Sequence, residues 1–322
     1  MDYQSMHGDH ATSSQAIKAR LAHIVRFIGS LSSVAVTCDQ VDEVWIRRFR
    51  TWAMKQPIVA PKGGERQRSR ATVEASVLQL AAAINFAHRR RDTIHPAGFK
   101  PLPTREVSDT PRRRLSIAEL ADAFRYAADP KHKVKRAALH RFLQISTATA
   151  TRPDAAHDFS TDPKREQWDT GRRVMAMNPT KRAQTKKYRA TVIAPHQLVA
   201  RLNERDGHYV GVASIRSAWN AMCTELRWPR DGISGSKIIR RSIAQLLRDR
   251  GVDEAELEVQ LGHRRISSVT DLYAAFRPGY LASVTTAIEG IIDEVEAQAP
   301  GAFHRSFTGA AENVIELARV KK

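Results

Sequence analysis

The chain is poor in cysteine. Its 322 residues hold two, Cys38 and Cys223, too few and too far apart for a disulfide framework or for the paired spacing of a zinc site. That usage predicts a reducing cytoplasm. No apolar run approaches the roughly 18 residues of a membrane span. The polar start, Met1-Asp2-Tyr3-Gln4, lacks a signal-peptide core, so no membrane partner is expected. Internal repeats and low-complexity tracts are absent. So are a glycine-rich phosphate loop, a His/Cys metal cluster and a carboxylate pair at nuclease-like spacing, which predicts neither cofactor nor metal. Acid is also scarce: 34 acidic residues face 52 lysines and arginines, a formal net charge of +18. Such a charge attracts polyanions. Nucleic acid is the first candidate, because neutralising its phosphates releases condensed counterions; a basic protein with no such partner is the alternative that charge alone leaves open.

What is present is mostly helical pattern. From Ala16, the residues Leu21, Ile24, Val25 and Ile28 fall at i, i+3, i+4 and i+7, one apolar stripe, with Gly29 as a stop. A second helix is expected near Val41 to Met54, a loop from Pro57 to Arg70, and a third helix with Val73, Val77, Leu80 and Ile84 on one face, closed by Arg89-Arg90-Arg91. Residues 95 to 114 read as a basic linker, broken by Pro96, Gly98, Pro101, Pro103 and Pro111 and ended by Arg112-Arg113-Arg114. A capping box, Ser116-Ile117-Ala118-Glu119, flanked by Leu115 and Leu120, then starts a second domain. It continues with a helix over Lys135 to Thr147 and a hairpin pairing Val174–Met177 with Tyr188–Ala194 across a basic turn. Helices follow over Ser214–Leu226, Ser236–Arg250, Asp253–Leu261 and Ser268–Phe276. An amphipathic helix with Leu281, Val284, Ile288, Ile291 and Val295 on one side ends the pattern. The expected fold class is mainly α with a small β-hairpin or sheet. The expected boundaries are 1–94, a 95–114 linker, 115–300, and a 301–322 tail.

The residues that carry chemistry lie in the second domain. Leu261-Gly262-His263 is followed by Asp271-Leu272-Tyr273, the tyrosine ten residues past the histidine. This order resembles the Leu-Gly-His … Tyr signature of the tyrosine recombinases, or phage integrases, in which the tyrosine sits on the following helix. Upstream, Thr149-Ala150-Thr151-Arg152-Pro153-Asp154 is similar to that family's Thr-Gly-x-Arg-x-x-Glu turn, with the turn glycine missing and Asp in place of Glu. The segment Lys237-Ile238-Ile239-Arg240 is similar to its His-x-x-Arg box, with Lys237 where histidine is usual. The family's hairpin lysine would be Lys186, with Lys187 and Lys181 as competitors.

The resemblance implies an enzyme that breaks and rejoins DNA. Tyr273 would be the nucleophile, and its phenol, with a pKa of about 10, must lose a proton as it attacks. Arg152 and Arg240 would clamp the phosphate bidentately, with His263 as a third donor to the transition state. Lys186 would protonate the departing 5′ oxygen. The product would be a 3′-phosphotyrosyl link that needs neither ATP nor metal. Residues 16 to 91 would be a core-binding domain gripping double-stranded DNA, and the chain would act at the bacterial nucleoid. The C-terminal amphipathic helix would either bind a neighbour in a synaptic homotetramer or pack on its own domain. Three outcomes stay open: a recombinase integrating or excising a mobile element or phage, a catalytically impaired DNA-binding protein of the same fold, and a type IB topoisomerase.

Overall fold

The computed structural model describes residues 3–11, 13–31, 36–59, 64–108, 112–184, 187–229, 235–263 and 278–304. It divides into two compact units, Met1–Pro111 and Arg112–Lys322.

The first unit packs α1 (Ser14–Ser30), α2 (Glu43–Lys55) and α3 (Arg70–Arg89) around one core. The Asp42 side chain caps α2 by accepting from the Trp45 amide at 2.8 Å, and Ser69 caps α3 through the Thr72 amide. Phe27, Trp45, Ile46, Phe49, Val73, Val77 and Ile84 are buried. On α1 the buried positions are Ile17, Ile24 and Phe27, while Val25 is 66% exposed. Of the expected stripe, Ile24 is buried and Leu21 and Ile28 are half-buried, while Val25 stands about 100° around the helix from Ile24 and faces out. The expected loop between α2 and α3 contains a two-stranded antiparallel ribbon, β1 (Ile58–Val59) with β2 (Glu65–Arg66). The proline-rich segment after α3 folds back on this unit. Phe99 is buried in its core, the Leu102 amide donates to Glu74 at 2.9 Å, and Thr104–Val107 forms the one-turn helix α4.

In the second unit, α5 (Ile117–Ala128) begins at the capping box, with the Glu119 amide on Ser116 Oγ and the Ser116 amide on Glu119 Oε2. Leu115 and Leu120 are both buried. Next, α6 (Lys133–Thr149) runs through the centre, burying Leu139, Phe142, Leu143, Ile145 and Ala148. After it come α7 (Pro153–Asp158) and a three-stranded antiparallel sheet, β3 (Trp168–Asp169), β4 (Val174–Ala176) and β5 (Thr191–Ile193). Met175 pairs with Val192; both are buried, which fixes the face the sheet turns inward. The helices α8 (His196–Asn203), α9 (Arg216–Glu225), α10 (Lys237–Asp249), α11 (Glu254–Gln260) and α12 (Ala282–Gln298) follow among the described residues. The helix expected over 268–276 lies outside the described residues.

The stripe of α12 is covered by its own unit in this structure. Val284, Ile288, Ile291, Ile292 and Val295 are at most 1% exposed, and α12 packs on α5, α6 and α10. Each such side chain contributes about 1.5–3 kcal/mol by leaving water. No helix among the described residues is long and apolar enough to cross a membrane.

Candidate active site

Three of the residues singled out by sequence come together where α6, α10, α11 and the sheet hairpin meet. Arg152 follows the end of α6. Pro153 opens α7, and a residue before proline is driven out of the helical region; Arg152 is accordingly extended, at φ −70° and ψ 146°. Its Nη1 donates to the carbonyl of Tyr188 at 2.7 Å. Among the described residues this is its one hydrogen bond.

Between α6 and Arg152, Ala150 closes the helix in the left-handed conformation, φ 49° and ψ 24°. This is where the expected glycine is missing; the turn survives with alanine in it. Left-handed backbone costs a non-glycine residue about 1–2 kcal/mol, but the Ala150 methyl is fully buried and its removal forfeits about 0.8 kcal/mol. Ala150→Gly should therefore leave stability within about 1 kcal/mol of wild type, because Gly also costs chain entropy. Ala150→Val, β-branched at positive φ in a filled site, should lose more than about 2 kcal/mol. Urea unfolding midpoints measure both.

Arg240 lies in the first turn of α10. Its Nη1 donates to the Ala150 carbonyl at 2.9 Å, and its Nη2 donates to the Leu261 carbonyl at 2.7 Å and to Nε2 of His263 at 3.0 Å. Burial first, then the charge of Arg152, lowers its pKa to about 10, so it stays protonated at neutral pH. Gln260 reinforces the frame by donating to the Thr149 carbonyl at 2.9 Å.

His263 is placed by the way α11 ends. The Gly262 amide bonds the Val259 carbonyl and the His263 amide bonds the Glu258 carbonyl, each at 2.9 Å, which is a Schellman closure. It requires the left-handed φ of +61° at Gly262 and throws His263 off the helix end. Burial, then Arg240 and Arg152, hold the imidazole below its ordinary pKa, against Glu258. A guanidinium only donates, so Nε2 accepts and the neutral ring carries its proton on Nδ1.

The other residues named by sequence fall around this cluster. Lys237 is exposed at the start of α10, one turn before Arg240, and makes no hydrogen bond or ion pair among the described residues. Lys181, at φ 70°, and the exposed Lys187 belong to the connection between β4 and β5. Lys186 and Tyr273 lie outside the described residues. No group of three or more His, Cys, Asp or Glu that could hold a metal occurs among the described residues.

Sequence reasoning overlooked Arg189. Its side chain is 6% exposed and bridges Asp154, at 3.1 Å, and Asp158. Arg165 joins Asp158 from the other side at 2.6 Å. Burial pushes the Asp158 carboxyl up, but Arg189 and Arg165 outweigh it and hold it below its ordinary value. This network ties α7 to the hairpin one residue from the carbonyl that Arg152 uses. It also occupies Asp154, the one acid acting on Arg240, so neither Arg152 nor Arg240 has a carboxylate partner among the described residues.

By sequence the chain matches no family model and no curated protein. By structure it is similar to the Tn1549 transposon integrase in complex with transposon right end DNA, with a TM-score of 0.56 at 13% identity, over 87% of this chain and 94% of that one. It is also similar to the XerH site-specific recombinase bound to its difH substrate, with a TM-score of 0.55 at 13% identity, over 84% and 79%. The chain has the fold of a tyrosine recombinase. At this identity the likeness is one of architecture, mainly helical with small antiparallel sheets. Within this fold, the guanidiniums of Arg152 and Arg240 and the imidazole of His263 come together with no carboxylate paired to either arginine among the described residues.

Proposed function

We propose that the chain is a site-specific DNA recombinase that cleaves and rejoins strands through a 3′-phosphotyrosyl intermediate on Tyr273. The observation that carries this reading is the meeting of Arg152, Arg240 and His263, distant in sequence, with no carboxylate paired to either guanidinium among the described residues. Two guanidiniums and an imidazole match the non-bridging oxygens of a phosphodiester. The phenolic oxygen of Tyr273 attacks phosphorus and loses its proton as the new O–P bond forms. The 5′ oxygen leaves with a proton from a hairpin lysine, Lys186 in the first instance, with Lys187 and Lys181 as the alternatives. Lys237 supplies a further cation to the same phosphate. The bond energy is retained in the phosphotyrosyl ester, so the reverse attack by a 5′ hydroxyl rejoins the strand.

The net charge of +18 supports double-stranded DNA as the partner, and the structural likeness to a transposon integrase bound to transposon DNA favours a mobile element or phage as the substrate. A synaptic homotetramer belongs to this reading. The setting is the cytoplasm, at the nucleoid.

Tyr273→Phe tests the reading. With a nicked suicide duplex carrying the cognate site, wild-type protein should form a covalent adduct stable to denaturant. The variant should form none while retaining duplex affinity to within about threefold. Adduct formation by the variant would remove the nucleophile from Tyr273. Binding without cleavage by the wild-type chain would favour an impaired DNA-binding protein, and relaxation of plasmids lacking the site would favour a topoisomerase.

A further inference from the structure

A second concentration of unneutralised cations belongs wholly to the first unit. The Arg68 residue, between β2 and α3, is 8% exposed. A guanidinium so placed ordinarily faces a carboxylate. Here Nη1 of Arg68 instead donates to Nε2 of His23 at 2.9 Å, and Nδ1 of the same ring lies 3.2 Å from Oγ of Ser76. Arginine cannot accept, so His23 is neutral, with its proton on Nδ1 and directed at Ser76. Ser76 is fully buried on α3; it fixes the ring and, through it, the guanidinium.

The charges acting on this group are all of one sign. Burial, then Arg26 and Arg66, depress Arg68. Burial, then Arg68 and Arg26, depress His23. No acid offsets either one. Glu65 adjoins Arg66 in sequence but forms no ion pair among the described residues, and Glu74, a buried carboxylate of α3, is committed to Arg50 at 2.6 Å. The helix α3 starts at Arg70 with no acid in its first turn, and a helix N-terminus adds positive potential. Arg26 and Arg66 are exposed, so the cluster has one buried, oriented cation and two exposed ones acting on it.

We propose that Arg26, Arg66 and Arg68, oriented by His23 and Ser76, form a seat for a phosphodiester of the DNA backbone. Three guanidiniums supply more donors than one carboxylate can accept, while a phosphate presents several acceptor oxygens to bidentate forks. A backbone seat positions DNA without reading its sequence. The inference rests on the DNA-binding part of the proposed function and not on strand cleavage.

The test uses the full chain and a 30-bp duplex of arbitrary sequence, with affinity measured from about 50 to 200 mM salt. The double variant Arg26→Ala/Arg66→Ala changes exposed residues and should keep the wild-type melting temperature. Its log–log salt slope should be shallower by about 0.9, the one phosphate lost, so the wild-type advantage shrinks roughly threefold across that salt range. Arg68→Met should show the same loss, and His23→Phe, which removes only the orienting acceptor, should show part of it. The difference should persist in inorganic phosphate at matched ionic strength. Unchanged slopes in the double variant would overturn the proposal, and so would low-millimolar inorganic phosphate abolishing the difference, which would assign the seat to free phosphate. Failure of the wild-type chain to bind any duplex would sink the DNA-binding reading itself.

Discussion

Arg240→Ala is expected to slow covalent adduct formation by about 10²–10³-fold, the cost of removing one preorganised donor from a developing oxyanion. Duplex affinity should fall far less, with the salt slope shallower by roughly one phosphate contact. The disparity follows from what Arg240 does in the resting protein. It already holds the carbonyls of Ala150 and Leu261 and the ring of His263, so its fork is fixed before DNA arrives. Arg240→Lys separates charge from geometry: a lysine keeps the cation but cannot span three acceptors set around a planar fork. It should recover affinity but little of the rate. Equal losses of affinity and rate in Arg240→Ala would contradict the clamp. A native melting transition is the accompanying check, since the variant leaves two carbonyls without their donor.

Gly262→Ala should damage both stability and activity. A Cβ at this position would stand 2.6 Å from the Tyr188 carbonyl oxygen and 3.3 Å from its carbon. Backbone atoms cannot swing aside like a side-chain tip, so the hairpin must move. The left-handed φ of +61° adds about 1–2 kcal/mol for any residue with a Cβ. Gly251→Ala isolates the two effects. Gly251 closes α10 at φ +74° with open space where its Cβ would go, so that variant carries the conformational cost alone. Gly262→Ala should exceed it by more than about 1 kcal/mol in chemical denaturation, and only Gly262→Ala should depress adduct formation by an order of magnitude or more, because Tyr188 is the acceptor that orients Arg152. Matching losses in the two variants would show that the contact with the hairpin is unimportant.

Local chemistry made some of this architecture readable in advance. Ser116 and Glu119 announce a helix start because both halves of a capping box lie within four residues. Leu261-Gly262-His263 is equally local: a glycine that permits a left-handed closure, with the next residue expelled. The mainly helical fold with a small sheet follows from periodicity in long segments. Two-residue strands such as β1 and β3 have no period to read, and Val25 was assigned to the wrong edge of a stripe because i+4 from Leu21 can fall on either side of a narrow apolar face. The role of Arg189 was illegible for another reason. It sits beside Lys186 and Lys187 and reads as one more surface cation; its partners Asp158 and Asp154 stand 31 and 35 residues upstream. Likewise an apolar stripe such as that of α12 looks the same whether its own core or another copy's will cover it.

The peptide at Tyr188 serves two masters. Its oxygen receives the Arg152 fork and abuts Gly262, while the next side chain, Arg189, locks it to the two aspartates of α7. Three stretches of chain are thus gauged against a single carbonyl, and any force on the lysine-bearing loop next to it reaches the cationic cluster without passing through solvent. Under the proposed function, a strand held by the residues after β4 would act on the guanidinium of Arg152 through this one carbonyl.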